Sequence, residues 1–301
     1  PPPQKEFVPR RSHRRDEETA NAPPSPLSDD GSDDGTPKRT INLIDEKEIR
    51  FDKKEVADDD IGEPLSIILR KSQVLELLSL TDNQFTFADG RFAYALAHNR
   101  TLRELDLADN LIGVEGADRL AEALTTNRTL TTLCLAGNQI GDDGAKLFAA
   151  ALTVNVTLQK LDLCDNRIGD EGVARLSSSF KDYKNKTLVK LDLSCNYIGD
   201  SGMKKLAGAL EINQSLQEVA LGCNHIGDEG ADSLAACLVK NKSLVKIWVN
   251  RNNIGDEGMT KLANALKSNI TVKDVWFNAN PIKTEVYMKM LTALAGRGLS
   301  G

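Results

Sequence analysis

Three kinds of residue in this 301-residue chain have types and spacings that could do chemistry. The first is a set of five cysteines, Cys134, Cys164, Cys195, Cys223 and Cys237. They are odd in number and no two stand in CxxC spacing, so neither a disulfide framework nor a zinc site is expected. They read as packing thiols of a reducing compartment. The second is the histidines His13, His98 and His225, none of which has a Ser or Cys placed beside it in a repeated catalytic arrangement. The third is a row of carboxylates, Asp142-Asp143, Asp170-Glu171, Asp228-Glu229 and Asp256-Glu257. The row suggests calcium, but it lacks the alternating oxygen ligands of an EF-hand loop. Helix starts explain it instead, with each Asp as an N-cap and each Glu beside the positive end of the dipole. No catalytic residue, metal or cofactor is assigned, and the chain reads as a non-enzyme.

The elements that must carry these residues are a repeat. Segments beginning at Thr101, Thr129, Thr157, Thr187, Ser215, Ser243 and Thr271 share one pattern, spaced 28 residues apart except for 30 after Thr157. The longer unit has its helix end extended by residues 181–184. An earlier copy begins near Val74 with Phe85, Phe87 and Phe92 in aliphatic positions, and residues 64–71 match only a helical half. In the first unit Leu102, Leu105 and Leu107 point inward, and their spacing makes a short strand. Asn110 follows in the turn and recurs as Asn138, Asn166, Asn196, Asn224, Asn252 and Asn280, an amide able both to donate and to accept. Ile-Gly-Asp-Glu-Gly then opens a helix whose Leu176 and Phe180 form an inward stripe. No unit buries its apolar faces alone, so stacking must supply the missing wall.

The pattern LxxLxLxxNxIGxxG with its 28-residue period resembles the ribonuclease-inhibitor-like leucine-rich repeat proteins. The resemblance spans residues 64–301 and implies an α/β leucine-rich repeat solenoid. Its parallel strands would line a concave face and its helices the convex one. Asn99, Asn127, Asn155, Asn185, Asn213, Asn241 and Asn269 each open an Asn-x-Ser/Thr sequon at the helix-to-strand junction. They read as C-capping residues of a cytoplasmic protein and not as glycan acceptors.

Outside the repeats, eight of the ten prolines fall in the first forty residues, between charge blocks Arg10-Arg11, Arg14-Arg15, Asp29-Asp30 and Asp33-Asp34. Residues 1–40 are expected to be a disordered tail, with Ser25 and Thr36 as proline-directed phosphorylation candidates. Residues 41–63 read as an extended arm or linker, and residues 64–301 as a capping helix plus eight repeats. A start without Met suggests a processed chain or a fragment. Net charge is −6, which gives no pull toward nucleic acid, and no apolar run of about 20 residues is present to span a membrane.

Function then rests on the outward strand positions. The central one reads Ser79, Asp106, Cys134, Asp162, Asp192, Ala220, Trp248 and Trp276 along successive units. Both tryptophans of the chain occupy neighbouring equivalent sites, where stacked indoles are expected about 4.8 Å apart. Lys246, Asn250, Asp274 and Asn278 surround them with polar groups, the composition of a binding hot spot. The chain's own terminal segments could instead cover the pair. Asp106, Asp162 and Asp192, with Glu104 and interrupted by Lys160 and Lys190, form an acidic stretch suited to a basic partner or to solvent. The expected function is a protein-interaction scaffold or structural subunit of a larger intracellular assembly, cytoskeletal or ciliary. Its partners are other proteins, with no nucleic acid and no membrane, and the concave face and N-terminal arm bind them. Two alternatives stay open: a GTPase activator resembling the Ran-activating leucine-rich repeat proteins, and an inhibitor that captures an enzyme in its concave face.

Overall fold

Each strand of the repeat is only three residues long, and its middle residue is apolar, so one side chain per strand is driven inward. Ile49, Leu78, Leu105, Leu133, Leu161, Leu191, Val219, Ile247 and Val275 hold that place, and all are buried. The computed structural model describes residues 43–181 and 184–295. Strands and helices alternate along it as β1 (Glu48–Arg50), α1 (Asp58–Lys71), β2 (Leu77–Ser79), α2 (Arg91–His98), β3 (Glu104–Asp106) and α3 (Gly113–Thr126). The alternation continues as β4 (Thr132–Cys134), α4 (Gly141–Val154), β5 (Lys160–Asp162), α5 (Asp170–Phe180), β6 (Lys190–Asp192) and α6 (Asp200–Leu210). It ends with β7 (Glu218–Ala220), α7 (Asp228–Lys240), β8 (Lys246–Trp248), α8 (Asp256–Ser268), β9 (Asp274–Trp276) and α9 (Thr284–Leu294). The strands form one parallel sheet in chain order, β1 to β9. Helices are about 10 Å wide and strands about 4.8 Å apart, so a one-to-one stack must curve with its strands inside.

Two asparagine ladders replace the hydrogen bonds that the turns cannot make for themselves. In the strand-to-helix turn, Asn110 Nδ2 donates to Leu80 O of the preceding unit at 2.9 Å and to Leu107 O of its own at 3.0 Å. Its Oδ1 accepts from Phe85 N, also in the preceding unit. Asn138, Asn166, Asn196, Asn224, Asn252 and Asn280 repeat the scheme, for instance Ile226 N to Asn252 Oδ1 at 3.0 Å. At the other edge, Asn127 Nδ2 donates to Leu96 O at 2.7 Å, and its Oδ1 accepts from Thr129 N and Leu130 N. All seven sequon asparagines sit here, none more than 4% exposed, which leaves no room for a glycan on the folded chain. Asn99, Asn127, Asn155, Asn241 and Asn269 are the C-cap residues of their helices, in an extended backbone conformation (Asn127 φ −61, ψ 137), whereas the helices before Asn185 and Asn213 are capped at Lys181 and Glu211.

The second ladder joins each unit to the one before it. Asn99, Asn127, Asn155, Asn185, Asn241 and Asn269 each reach a helix carbonyl of the unit before. Among the described residues Asn213 reaches only Asn185 O, at 3.4 Å. A depression of about 250 Å³ opens at this seam, lined by Asn185, Lys186, Asn213, Gln214 and Ser215.

Two expectations need correction. The Asp of Ile-Gly-Asp-Glu-Gly does not cap its own helix. Gly169, Gly199, Gly227 and Gly255 are the N-cap residues, and the Asp carboxylates reach forward to the next unit. Asp170 Oδ1 accepts from Gly199 N at 2.7 Å, and Asp228 Oδ1 accepts from Gly255 N and Gly258 N. The second difference lies at the N-terminal boundary. The described part of residues 41–63 is neither a linker nor a loose arm, because β1 pairs in register with β2 and α1 begins at Asp58. Ile49 supplies the inward apolar residue, Asn83 accepts from Lys54 N and Val56 N, and Asp58 accepts from Thr86 N and Phe87 N. The segment is therefore a full unit of the stack. The expected tail over residues 1–40, with Ser25 and Thr36, lies outside the described residues.

Candidate concave binding face

Strand register fixes which side chains meet on the inner face. Ser79, Asp106, Cys134, Asp162, Asp192, Ala220, Trp248 and Trp276 pair in succession, with Arg50 preceding Ser79. One column over, Lys160 pairs with Lys190, Glu218 with Lys246, and Lys246 with Asp274. The sequence-derived residues thus share one face, with the acidic positions in its middle and the tryptophans at its C-terminal end.

Trp248 and Trp276 are both partly exposed while the aliphatic residue between their neighbours on each strand is buried. The expected indole stack does not form. Among the described residues the ring pairs in contact are Phe85–Phe87, Phe87–Phe92, Tyr94–His98, Tyr197–His225 and Phe277–Tyr287. The physical reason lies in Trp276, whose Nε1 donates to Asp274 Oδ2 of its own strand at 3.2 Å and ties the ring along the strand. Lys246 is engaged too, with its Nζ 3.2 Å from Glu218 Oε1. Asn278 is exposed, but Asn250 is not: it is 8% exposed and its amide packs over Gly222, where an added Cβ would lie 2.8 Å from Asn250 Oδ1. Asn250 therefore helps to build the floor of the patch.

The acidic stretch is more buried than its polar composition suggested. Asp192 is only 4% exposed, and Asp162 is partly buried beside it. Each accepts from the backbone two residues on, Asp162 Oδ1 from Cys164 N and Asp192 Oδ1 from Ser194 N, both at 2.9 Å. Burial pushes the Asp162 carboxyl up to about 6, and the neighbouring Asp192 charge adds to the shift. Burial likewise raises Asp192. The Ser194 hydroxyl beside it is buried without a well-formed partner. Asp106 differs, being partly exposed and accepting from Ala108 N at 3.1 Å. Sequence reasoning missed Ser194, since a lone Ser two positions after the central residue carries no signal.

The remaining residues with reactive types are structural or local. His98 Nδ1 lies 2.9 Å from Tyr94 O, and His225 stacks on Tyr197. In the carboxylate row Asp142, Asp170, Asp228 and Asp256 accept from backbone N–H groups of the following segment, and Glu171 and Glu257 pair with Arg175 and Lys261. Among the described residues no group of three or more His, Cys, Asp or Glu is arranged to hold a metal ion.

Residues 98–121, 126–149, 154–177, 184–207, 213–235 and 240–263 each match the Leucine Rich repeat family. The chain is a leucine-rich repeat protein. Two solved structures are similar in fold. The tropomodulin C-terminal domain of Caenorhabditis elegans is 19% identical, with 42% of this chain and 76% of that one covered, at a TM-score of 0.37. The leiomodin-1 actin-binding site 2 is 19% identical, with 61% and 73% covered, at a TM-score of 0.26. No curated protein sequence matches the chain. Among the described residues of this leucine-rich repeat protein, no helix is long and apolar enough to cross a membrane.

Proposed function

We propose that this protein is a non-enzymatic scaffold that binds another protein on its concave face, centred on Trp248 and Trp276. The observation that carries the reading is the placement of two partly exposed indoles at paired positions of β8 and β9, in a sheet whose middle strand residues are all buried. Aromatic anchors within a polar rim are the usual source of binding energy at protein interfaces. Lys246, Asp274 and Asn278 form that rim, and Ala220 with Asn250 forms the floor. Asp162 and Asp192 favour a partner that also presents a cationic side chain, because Lys190 only partly offsets the buried carboxylate pair and an incoming cation would complete the compensation. Asp106 extends the acidic surface toward the N-terminal units. We place the protein in a larger intracellular assembly, cytoskeletal or ciliary, with the N-terminal arm, whose tail spans residues 1–40, as a second contact.

The test is affinity purification from cell extract with wild type and Trp248→Ala/Trp276→Ala, after a melting curve has shown that the variant folds. Loss of a defined set of proteins is expected, with an affinity drop of about 30-fold or more, equivalent to about 2 kcal/mol for hot-spot truncation. An unchanged set means that the indoles are not the binding surface.

A further inference from the structure

Three of the five cysteines come together in the fold although no two are closer than 28 residues in sequence. Cys195 and Cys223 hold the same place in successive units, the residue before the turn asparagine, and both have left-handed backbone (φ 57 and 55). Cys195 N donates to Gly222 O at 2.8 Å, so the two turns are locked side by side. The strands that lead into these turns are about 4.8 Å apart, and the backbone bond carries that spacing three residues further; a disulfide accepts a Cα separation of roughly 4.4–6.8 Å. Both are partly exposed, whereas Cys164, at the start of the neighbouring turn, is buried.

We propose that Cys195 is a peroxide-reactive thiol and that it closes a disulfide with Cys223, tying two successive turns of the solenoid together. The three thiols have different roles. The neighbouring thiols of Cys164 and Cys223 hold the Cys195 thiol below its usual range, against burial and the charges of Asp165 and Asp192. Burial pushes the Cys223 thiol up to about 11, and Arg251 on the next turn opposes that rise. Cys195 thus gives up its proton more readily than its two neighbours, and the thiolate is the nucleophile. It attacks hydrogen peroxide or an organic hydroperoxide, the O–O bond breaks, and Cys195 becomes a sulfenic acid while water or an alcohol leaves. Cys223 loses its proton to solvent and attacks the Cys195 sulfur; the S–S bond forms, the S–O bond breaks, and the oxygen leaves as water. Two thiols are oxidised and one peroxide is reduced. Cys164 is a positioning residue, because its thiol stabilises the Cys195 thiolate but takes no part in the covalent steps.

The experiment uses the full chain, treated with hydrogen peroxide, alkylated, and digested without reductant by trypsin and a Glu-specific protease. The second protease separates Cys223 from Cys237 by cutting at Glu229. A Cys195–Cys223 cross-linked peptide is expected as the main oxidised product. In Cys223→Ser, dimedone should trap Cys195 several-fold more than Cys134 or Cys237. In Cys164→Ala, alkylation of Cys195 at pH 7 should slow by about tenfold, the effect of one unit in thiol pKa, while Cys223 is unaffected. A Cys164–Cys195 bridge, no bridge at all, or a Cys195 that alkylates no faster than Cys237 in the folded wild type would overturn the proposal. The wild-type digest decides the matter even where a variant folds poorly.

Discussion

At the scale of single residues, the concave face contains one pair that works against the fold. Asp162 and Asp192 have carboxyl groups raised by burial, so the folded chain holds protons that the unfolded chain has already released above about pH 4. Stability from this pair is therefore present at acidic pH and is lost as pH rises through about 6. Asp162→Asn keeps an oxygen for the Cys164 N–H and removes the charge. It should raise stability at pH 7 by on the order of 2 kcal/mol and flatten the dependence between pH 4 and 7, as read by urea unfolding across that range. Such a cost is common where a residue serves recognition. The same pair tests the proposed partner chemistry, since a bound cationic side chain should draw protons off both carboxyls. Calorimetry of the complex in buffers of different ionisation enthalpy would report that release, and a complex that forms without it would count against a cationic contact.

At the scale of elements, the helices begin where they do because each unit is finished by its neighbours. The second Gly of each Ile-Gly-x-x-Gly segment shows how close that contact is. A Cβ on Gly202 would lie 2.5 Å from Asp170 Oδ1, 2.6 Å from Val173 Cγ1 and 3.0 Å from Asp170 Cα. Gly202→Ala should cost about 1–3 kcal/mol by overpacking, whereas Gly208→Ala, in the same helix with nothing within 4 Å, should be neutral or slightly stabilising. Paired melting curves check the contrast. Much of this element structure was legible in the sequence. The period located every strand from β2 to β9, the inward residues Leu102, Leu105 and Leu107 are fully buried, and the two asparagines per unit bond as their amides allow. What was not legible depends on contacts across a whole repeat. The forward reach of Asp170 to Gly199 spans 29 residues, and its position inside a helix-start motif points to local capping instead. The unit built on β1 was hidden because Glu48, Arg50 and Phe51 disguise the one residue, Ile49, that the sheet requires. The candidate site was legible as a column of residues but not in its depth: neither the burial of Asn250 nor that of Asp192 follows from alternation along a single strand.

At the scale of the molecule, all the helices run in one direction, so their dipoles add along the two rims of the solenoid. Asp170, Glu171, Asp200, Asp228, Glu229, Asp256 and Glu257 lie in first turns at the positive rim. Arg100, Arg128, Lys242 and Lys273 donate to carbonyls at the negative rim. This arrangement treats every unit alike, so it cannot make one junction differ from another. The depression between Asn185 and Asn213 can. Hydrogen exchange should find the amide of Leu216, which donates to Asn213, less protected than its counterparts Leu188 and Leu244, which donate to Asn185 and Asn241. Equal protection at the three would mean that the depression carries no weight. A repeat array otherwise behaves as a line of near-identical links, each held by the next. Pulled from its two ends, this one would not part at random: the extension trace should show a first rip at the junction of α5 with α6, dividing the solenoid into two blocks that then unravel separately.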